Sequence, residues 1–124
     1  MKGTHADLLG LAGTFLLTAS VLAHHGGTTL YDLQKEVTLK GATITGPVWA
    51  NPHVEIEFDA TDDKGVKGHW ILENNSPPVL VTRGWTRTSL HSGDIVTITF
   101  NPGREVPHVG RLVKLVMADG KELR

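Results

Sequence analysis

The chain has 124 residues and no cysteine, and its 12 basic and 13 acidic residues give a formal net charge of −1. The lack of cysteine excludes disulfides, zinc–thiolate sites and thiol chemistry. The balanced charge provides no general attraction for nucleic acid or an anionic membrane, so we expect neither as a partner. A hydrophobic content of 40% is ordinary for one globular domain.

The first 23 residues have the features of a secretory signal peptide. An early Lys2 precedes an apolar run from Leu8 to Leu17, and small residues follow up to Ala23. The run is shorter than the roughly 20 apolar residues that span a bilayer, although a retained anchor stays an alternative. We therefore expect cleavage after Ala23, a periplasmic or secreted mature chain that begins at His24, and no stable membrane insertion after cleavage.

The stretch from Val48 to Glu73 predicts a β-hairpin. Val54, Ile56 and Phe58 alternate with polar residues, and the alternation resumes after a turn-rich segment, Thr61 to Gly65. A turn centred near Asp63 would place His53 opposite Glu73 and Glu57 opposite His69. These pairs form either a metal or proton site or ordinary charge pairs on a solvated face.

The segment after the signal predicts a polar N-terminal arm over residues 24–36, followed by a strand. In that strand, Val37 to Thr45, the apolar residues change face at Gly41, which predicts a β-bulge there. Gly46 and Pro47 are expected to end or kink it.

The second half of the chain predicts one short helix and two further strands. Ser76 is expected to precede a helix that has Pro77 at its first position and stops at Gly84. Ile95 to Phe100 and Arg111 to Met117 are strands, and an irregular loop from Asn101 to Gly110 separates them. Asp119 and Gly120 signal a last hairpin turn.

This order of elements predicts an all-β fold, a small five-stranded OB-like barrel over residues 37–124 with the helix between strands 3 and 4. An open β-sandwich is the alternative, because strand pairing beyond the hairpins is not written locally in the sequence.

Histidines suggest a metal site. A terminal His24 offers its amine and Nδ1 as a chelating pair for copper or zinc, and His25 adds a third nitrogen. His53 and His69 would complete the site, with Glu57 and Glu73 orienting the imidazoles. The other interpretation is a polar tail left by signal cleavage.

A binding rim without metal is the second hypothesis. A barrel of this type would bind a small ligand or a protein partner through side chains around the hairpin and the helix. Those side chains are Trp49, Asn51, His53, Glu73, Arg83 and Trp85, together with the loop from Asn101 to Gly110. Trp85 is alternatively a hydrophobic plug under the barrel, with Leu90. No nucleophile elbow, phosphate loop or HExxH motif occurs, so we expect no enzyme activity.

Several segments of the chain form a combination of motifs. They are His24-His25, Val37 to Gly41, Trp49 to His53, Trp70, Ser76-Pro77, Arg83 to Leu90, Gly93 to Ile98, and Met117 to Gly120. Together these motifs resemble a family of small exported bacterial proteins of unknown function. The chain is also similar, more distantly, to bacterial periplasmic OB-fold proteins linked to stress tolerance, through its VTLKG segment and the strand, turn and Trp after it. The resemblance implies a barrel and no established enzyme activity.

Overall fold

The computed structural model describes residues 30–124. The predicted signal peptide, His24 and His25 lie outside the described residues. The elements in chain order are β1 (Val37–Val48), β2 (Glu55–Thr61), β3 (Lys67–Glu73), α1 (Pro77–Thr82), β4 (Ile95–Pro102), β5 (Val109–Met117) and β6 (Glu122–Leu123).

Strand pairing closes the sheet into a barrel. The strand order is β3-β2-β1-β4-β5-β6, and a short parallel pairing of Ile71–Glu73 in β3 with Val109–Arg111 in β5 joins its two sides. This confirms the OB-like barrel with its helix between strands 3 and 4. It excludes the open sandwich, because β3 and β5 are hydrogen-bonded to each other instead of forming free edges.

β1 contributes to both sides of the barrel by bending at the expected bulge. Its pairing with β4 shifts register between Leu39 and Ala42, and Gly41 between them has φ +65°. That left-handed backbone is costly for residues with a Cβ, which explains the glycine. A second register shift, between Ile44 and Gly46, kinks the strand. The strand then continues to Val48, beyond the Thr45 that we expected as its end.

The hairpin of β2 and β3 is confirmed, but its predicted register is wrong by two residues. Glu55 lies opposite Glu73, and Asp59 lies opposite His69. The turn is centred later than expected because the Asp62 carboxylate accepts hydrogen bonds from the amides of Lys64 (2.9 Å) and Val66 (2.8 Å). A shift of two residues preserves the faces, so the apolar side chains still point inward.

α1 closes one end of the barrel. It starts after Ser76 with Pro77 at its first turn, and Gly84, with φ +85°, follows its end. The Ser76 side chain makes no capping hydrogen bond, so only its extended backbone marks the start. Leu80 of the helix is fully buried, and Trp85 and Leu90 beyond it are also buried, which makes them the expected plugs.

The irregular loop between β4 and β5 is shorter than predicted. Asn101 and Pro102 extend β4, and Val109 and Gly110 begin β5, so residues 103–108 form the loop. The segment before β1, residues 30–36, which we call the lead-in, lies along this region. The Asp32 amide donates to the Pro102 carbonyl (2.9 Å), and the Asn101 side chain donates to the Lys35 carbonyl (2.8 Å). These bonds hold the lead-in against the barrel.

Candidate functional site

The Glu73 carboxylate is the centre of a polar cluster at the end of β3. The Tyr31 hydroxyl donates to Glu73 Oε2 (2.9 Å), and Arg111 Nη1 donates to Oε1 (3.3 Å). His53 Nδ1 lies 3.4 Å from the same Oε1, and Arg111 Nη2 donates to Asn75 Oδ1 (3.3 Å). We call these five residues the Glu73 cluster. It joins the lead-in, the loop before β2, β3 and β5.

Burial and hydrogen bonding alter the acidity of Tyr31 in this cluster. Its side chain is 8% exposed, and desolvation, together with its hydrogen bond to Glu73, raises its pKa to about 12. Arg111 opposes this shift. The Tyr31 hydroxyl therefore stays protonated and donates its hydrogen bond to Glu73 throughout the physiological pH range.

A second group, the His69 cluster, lies on the outer face of β2 and β3. His69 Nδ1 is 2.8 Å from Asp59 Oδ1, and His69 Nε2 is 3.4 Å from Glu57 Oε2. The hydrogen bond that the His69 ring donates to the Asp59 carboxylate is the largest cause of a raised His69 pKa, and the charges of Asp59 and Glu57 add to it. Both ring nitrogens thus face carboxylates, so a proton suits this imidazole better than a metal ion does.

The structure places His53 and His69 in different clusters. His69 and Glu73, the residue that His53 contacts, are four positions apart along β3. This spacing corresponds to about 13 Å of extended strand. Within residues 30–124, no three His, Asp or Glu side chains form a group that could hold a metal ion. A metal site on this surface would therefore need ligands from residues before Leu30, where His24 and His25 lie.

The predicted rim residues are dispersed. Trp85 is 2% exposed and donates from Nε1 to the Arg124 carbonyl (2.8 Å), so its ring offers no surface for stacking. Trp49 packs beside it, and the cavity that both residues line has a volume of about 10 Å³, room for a water at most. Asn51 is exposed in the loop before His53, and Arg83 is exposed at the end of α1.

Sequence reasoning missed Tyr31, Asn75 and Arg111 as members of the Glu73 cluster, and Asp59 as the main partner of His69. Tyr31 gave a weak signal, because it is the only tyrosine of the chain and stands in an otherwise polar lead-in. Asp59 would follow from the correct hairpin register. Arg111 gave no signal, because its position depends on the parallel pairing of β3 with β5.

The end of the barrel opposite α1 forms an open mouth. A groove of about 720 Å³ is bordered there by the first residues of β1, the β2–β3 turn, Trp70 and His108. The Trp70 ring packs against Phe58 (6.2 Å between centroids) and Phe100 (5.1 Å), and His108 lies 4.6 Å from it. We call this groove the Trp70 mouth.

Comparison with known proteins gives a family and no function. The model of a family of unknown function, DUF6152, matches residues 14–111. The chain belongs to this family. The match covers the hairpin, both clusters and most of the barrel of this DUF6152 protein, and it confirms that the resemblance is to a family of unknown function. No curated protein and no solved structure shows a significant match. In the described part of the chain, the helices are too short or too polar to cross a membrane.

Proposed function

We propose that this DUF6152 protein is an exported β-barrel protein that binds one metal ion, copper or zinc, through His24, His25 and His53. The observation that carries the proposal is that Tyr31 and His53 contact the same carboxylate, that of Glu73. Because Tyr31 stands six positions after His25 in the sequence, this contact supports a site that His53 shares with the two N-terminal histidines.

The orientation of His53 suits a metal ligand. Its Nδ1 faces Glu73, and a carboxylate at one ring nitrogen is the usual partner of a histidine that binds metal with the other. The His53 side chain is 47% exposed, and within the described residues no hydrogen-bond partner occupies its Nε2. His69 lacks this arrangement, since carboxylates face both of its nitrogens, and we leave it out of the proposed site.

The length of the arm is compatible with the site. Tyr31 is six positions after His25 in the sequence, and six residue steps of extended chain span at most about 20 Å. The Tyr31 hydroxyl and His53 are separated only by the Glu73 carboxylate, so the reach is ample.

Signal cleavage is part of the proposal. Removal of residues 1–23 creates a free amine on His24, which chelates together with Nδ1 of the same residue. Mass spectrometry of the protein recovered from the periplasm of an expressing bacterium tests this step. The expected mature N-terminus is His24, and a protein that retains Met1 or Lys2 would contradict it.

The binding function is tested by isothermal titration of copper(II), and then zinc(II), into protein whose first residue is verified as His24. We expect one ion per chain, with affinity lost in His53→Ala and in a variant with one extra N-terminal Gly. His91→Ala is the matched control, because His91 is an exposed histidine outside both clusters. Binding lost only with the extra Gly would indicate a terminal chelate without His53. Binding weaker than about micromolar, which corresponds to roughly 8 kcal/mol, would refute the proposal.

We propose binding rather than catalysis, and an envelope ligand-binding module without metal is the second candidate function. The Trp70 mouth favours this candidate, since mouths of β-barrels are common ligand sites. The rim that was predicted around Trp49 and Trp85 does not support it, because the cavity there is filled.

A further inference from the structure

The Trp70 mouth is a surface that the proposed metal site does not use. It is lined by the first residues of β1 and by the β2–β3 turn, whereas the Glu73 cluster lies at the far end of β3. At the other end of the barrel, α1 and Trp85 fill the opening. The two ends therefore differ, because one is plugged by core side chains and the other keeps a groove of about 720 Å³, within the range of small-molecule sites.

Beside the groove, β3 is only partly paired with β5. The parallel ladder with β5 covers Ile71–Glu73, so the first half of β3, from Lys67 to Trp70, has no partner in β5. The loop of residues 103–108 stands beside this half instead, and its His108 carbonyl accepts a hydrogen bond from the Ile71 amide (3.0 Å). The barrel wall is therefore completed at this point by a loop.

Two aromatic rings are fixed in the mouth. Trp70 is held from inside the barrel by Phe58 and Phe100, which leaves it little freedom to move. His108 packs against Trp70 and has φ +59°, an unfavourable backbone conformation for a residue other than glycine. Its ring also occupies the space above Gly68, where a Cβ would come within 2.9 Å of His108 Cε1. The position of the imidazole beside Trp70 therefore depends on two features. His108 has a strained backbone, and residue 68 is a glycine that leaves room for the ring.

The charges around the mouth cancel. Three lysines and three carboxylates border the groove, so it has no net attraction for an anion or a cation. The same side chains, with Thr38 and Thr61, provide both donors and acceptors of hydrogen bonds. The positively charged residues are Lys35, Lys40 and Lys64, and the negatively charged residues are Glu36, Asp62 and Asp63.

We propose that the Trp70 mouth binds a neutral saccharide, with a sugar ring against Trp70 and His108 and its hydroxyls bonded to the lysines and carboxylates of the border. An aromatic surface with polar groups of both kinds around it complements a ring that has an apolar face and many hydroxyls. Oligosaccharides are also among the ligands of OB-type barrels. This inference does not rest on the proposed metal function.

The experiment is an NMR titration of the ¹⁵N-labelled protein with maltotriose and with triacetylchitotriose, each up to about 10 mM, the range that detects millimolar affinity. We expect saturable shifts of the Trp70 indole N–H and of the Lys40 and Lys64 amides with at least one of the two. Trp70→Phe and His108→Gly should each weaken binding about tenfold, because the first replaces the indole by a smaller ring and the second removes the imidazole. Trp70→Phe keeps an aromatic ring in the core, and glycine suits the backbone at position 108, so both variants should fold.

His53→Ala is the matched control, because it disables the proposed metal site and leaves the mouth intact. Unchanged saccharide binding in this variant supports two separate sites. The proposal is overturned if neither saccharide causes saturable shifts, or if the shifts centre on the Trp49 indole. It is also overturned if spermidine or citrate moves the same resonances as strongly as the saccharide, since the mouth would then be an ionic site.

Discussion

At the scale of single residues, the hydrogen bond between Tyr31 and Glu73 can be measured directly, because Tyr31 is the only tyrosine. In Glu73→Gln we expect its pKa to fall from about 12 but to stay above 10, since burial is the largest cause of the shift. Absorbance of the tyrosinate during an alkaline titration gives this value. Because the folded pKa is raised, the stability due to neutral Tyr31 is present below about pH 10 and is lost above it. An unchanged pKa would show that Glu73 does not hold the hydroxyl.

His69 provides a second prediction at this scale. Its pKa is raised above 6.5, chiefly by the hydrogen bond that its ring donates to the Asp59 carboxylate, and Asp59→Asn should lower it. Asp63→Asn, in the turn of the same hairpin, is the control that should leave it unchanged. A pH titration of the carbon-bound imidazole protons by NMR measures the His69 pKa in both variants. A raised folded pKa means that the ion pairs stabilise the protein fully below about pH 6.5 and lose this effect as the pH rises through the folded pKa. A His69 pKa that does not respond to Asp59→Asn would contradict the geometry.

At the scale of elements, two glycines of β1 give a matched pair of substitutions. Gly41 has φ +65° and open space around a Cβ, so Gly41→Ala should destabilise the protein by about 1–2 kcal/mol through backbone strain alone. Gly46 lacks a positive φ, and a Cβ there would meet Glu57 at 3.8 Å, an ordinary contact. We expect Gly46→Ala to be neutral or stabilising by about 0.5 kcal/mol. Urea unfolding measures the free energy of unfolding of both variants. Equal losses in the two variants would show that the backbone conformation at the Gly41 bulge is not the cause.

The elements also show how far the sequence determines the fold. The alternation of Ile56 and Phe58 with polar residues predicted the inner face of β2, and the phase change at Gly41 predicted the bulge. The hairpin register was not determined, because a shift of two residues leaves every side chain on the same face. Only the bonds that Asp62 makes within the turn decide it, and these select Asp59 rather than Glu57 as the residue opposite His69.

At the scale of the whole molecule, barrel closure depends on Gly110. A Cβ there would lie 2.7 Å from the Asn101 carbonyl oxygen and 2.7 Å from Phe100 Cδ2, where β3, β4 and β5 meet. We expect Gly110→Ala to cost about 1–3 kcal/mol, as overpacking does. Hydrogen exchange of the Ile71 amide, which donates to the His108 carbonyl beside β5 (3.0 Å), should accelerate more than that of the β1–β2 ladder. Equal acceleration of hydrogen exchange at both places would show that the β3–β5 pairing and the rest of the barrel open together as one unit.

The candidate sites depend on this long-range closure, which explains why the sequence predicted them only in part. His53 and Glu73 were expected together and do lie together, although as diagonal neighbours. Tyr31 and Arg111 reach Glu73 from segments 42 and 38 residues distant in the chain. The Trp70 mouth likewise combines β1, a turn and His108. No local sequence pattern specifies such long-range contacts.

The strand order has a consequence for how the protein could be divided. β1 to β3 and β4 to β6 are two three-stranded meanders, each made of neighbours in sequence, and α1 is the link between them. The two halves touch along the antiparallel seam of β1 with β4 and the short parallel seam of β3 with β5. A cut near Gly84 therefore leaves every local strand pairing inside one fragment. When mixed, the two fragments would need to rebuild these two seams and the hydrogen bonds that join the segment before β1 to Asn101 and Pro102. In such a reassembly, every residue of the Glu73 cluster except Arg111 comes from the first fragment, so the second would complete the cluster with a single arginine.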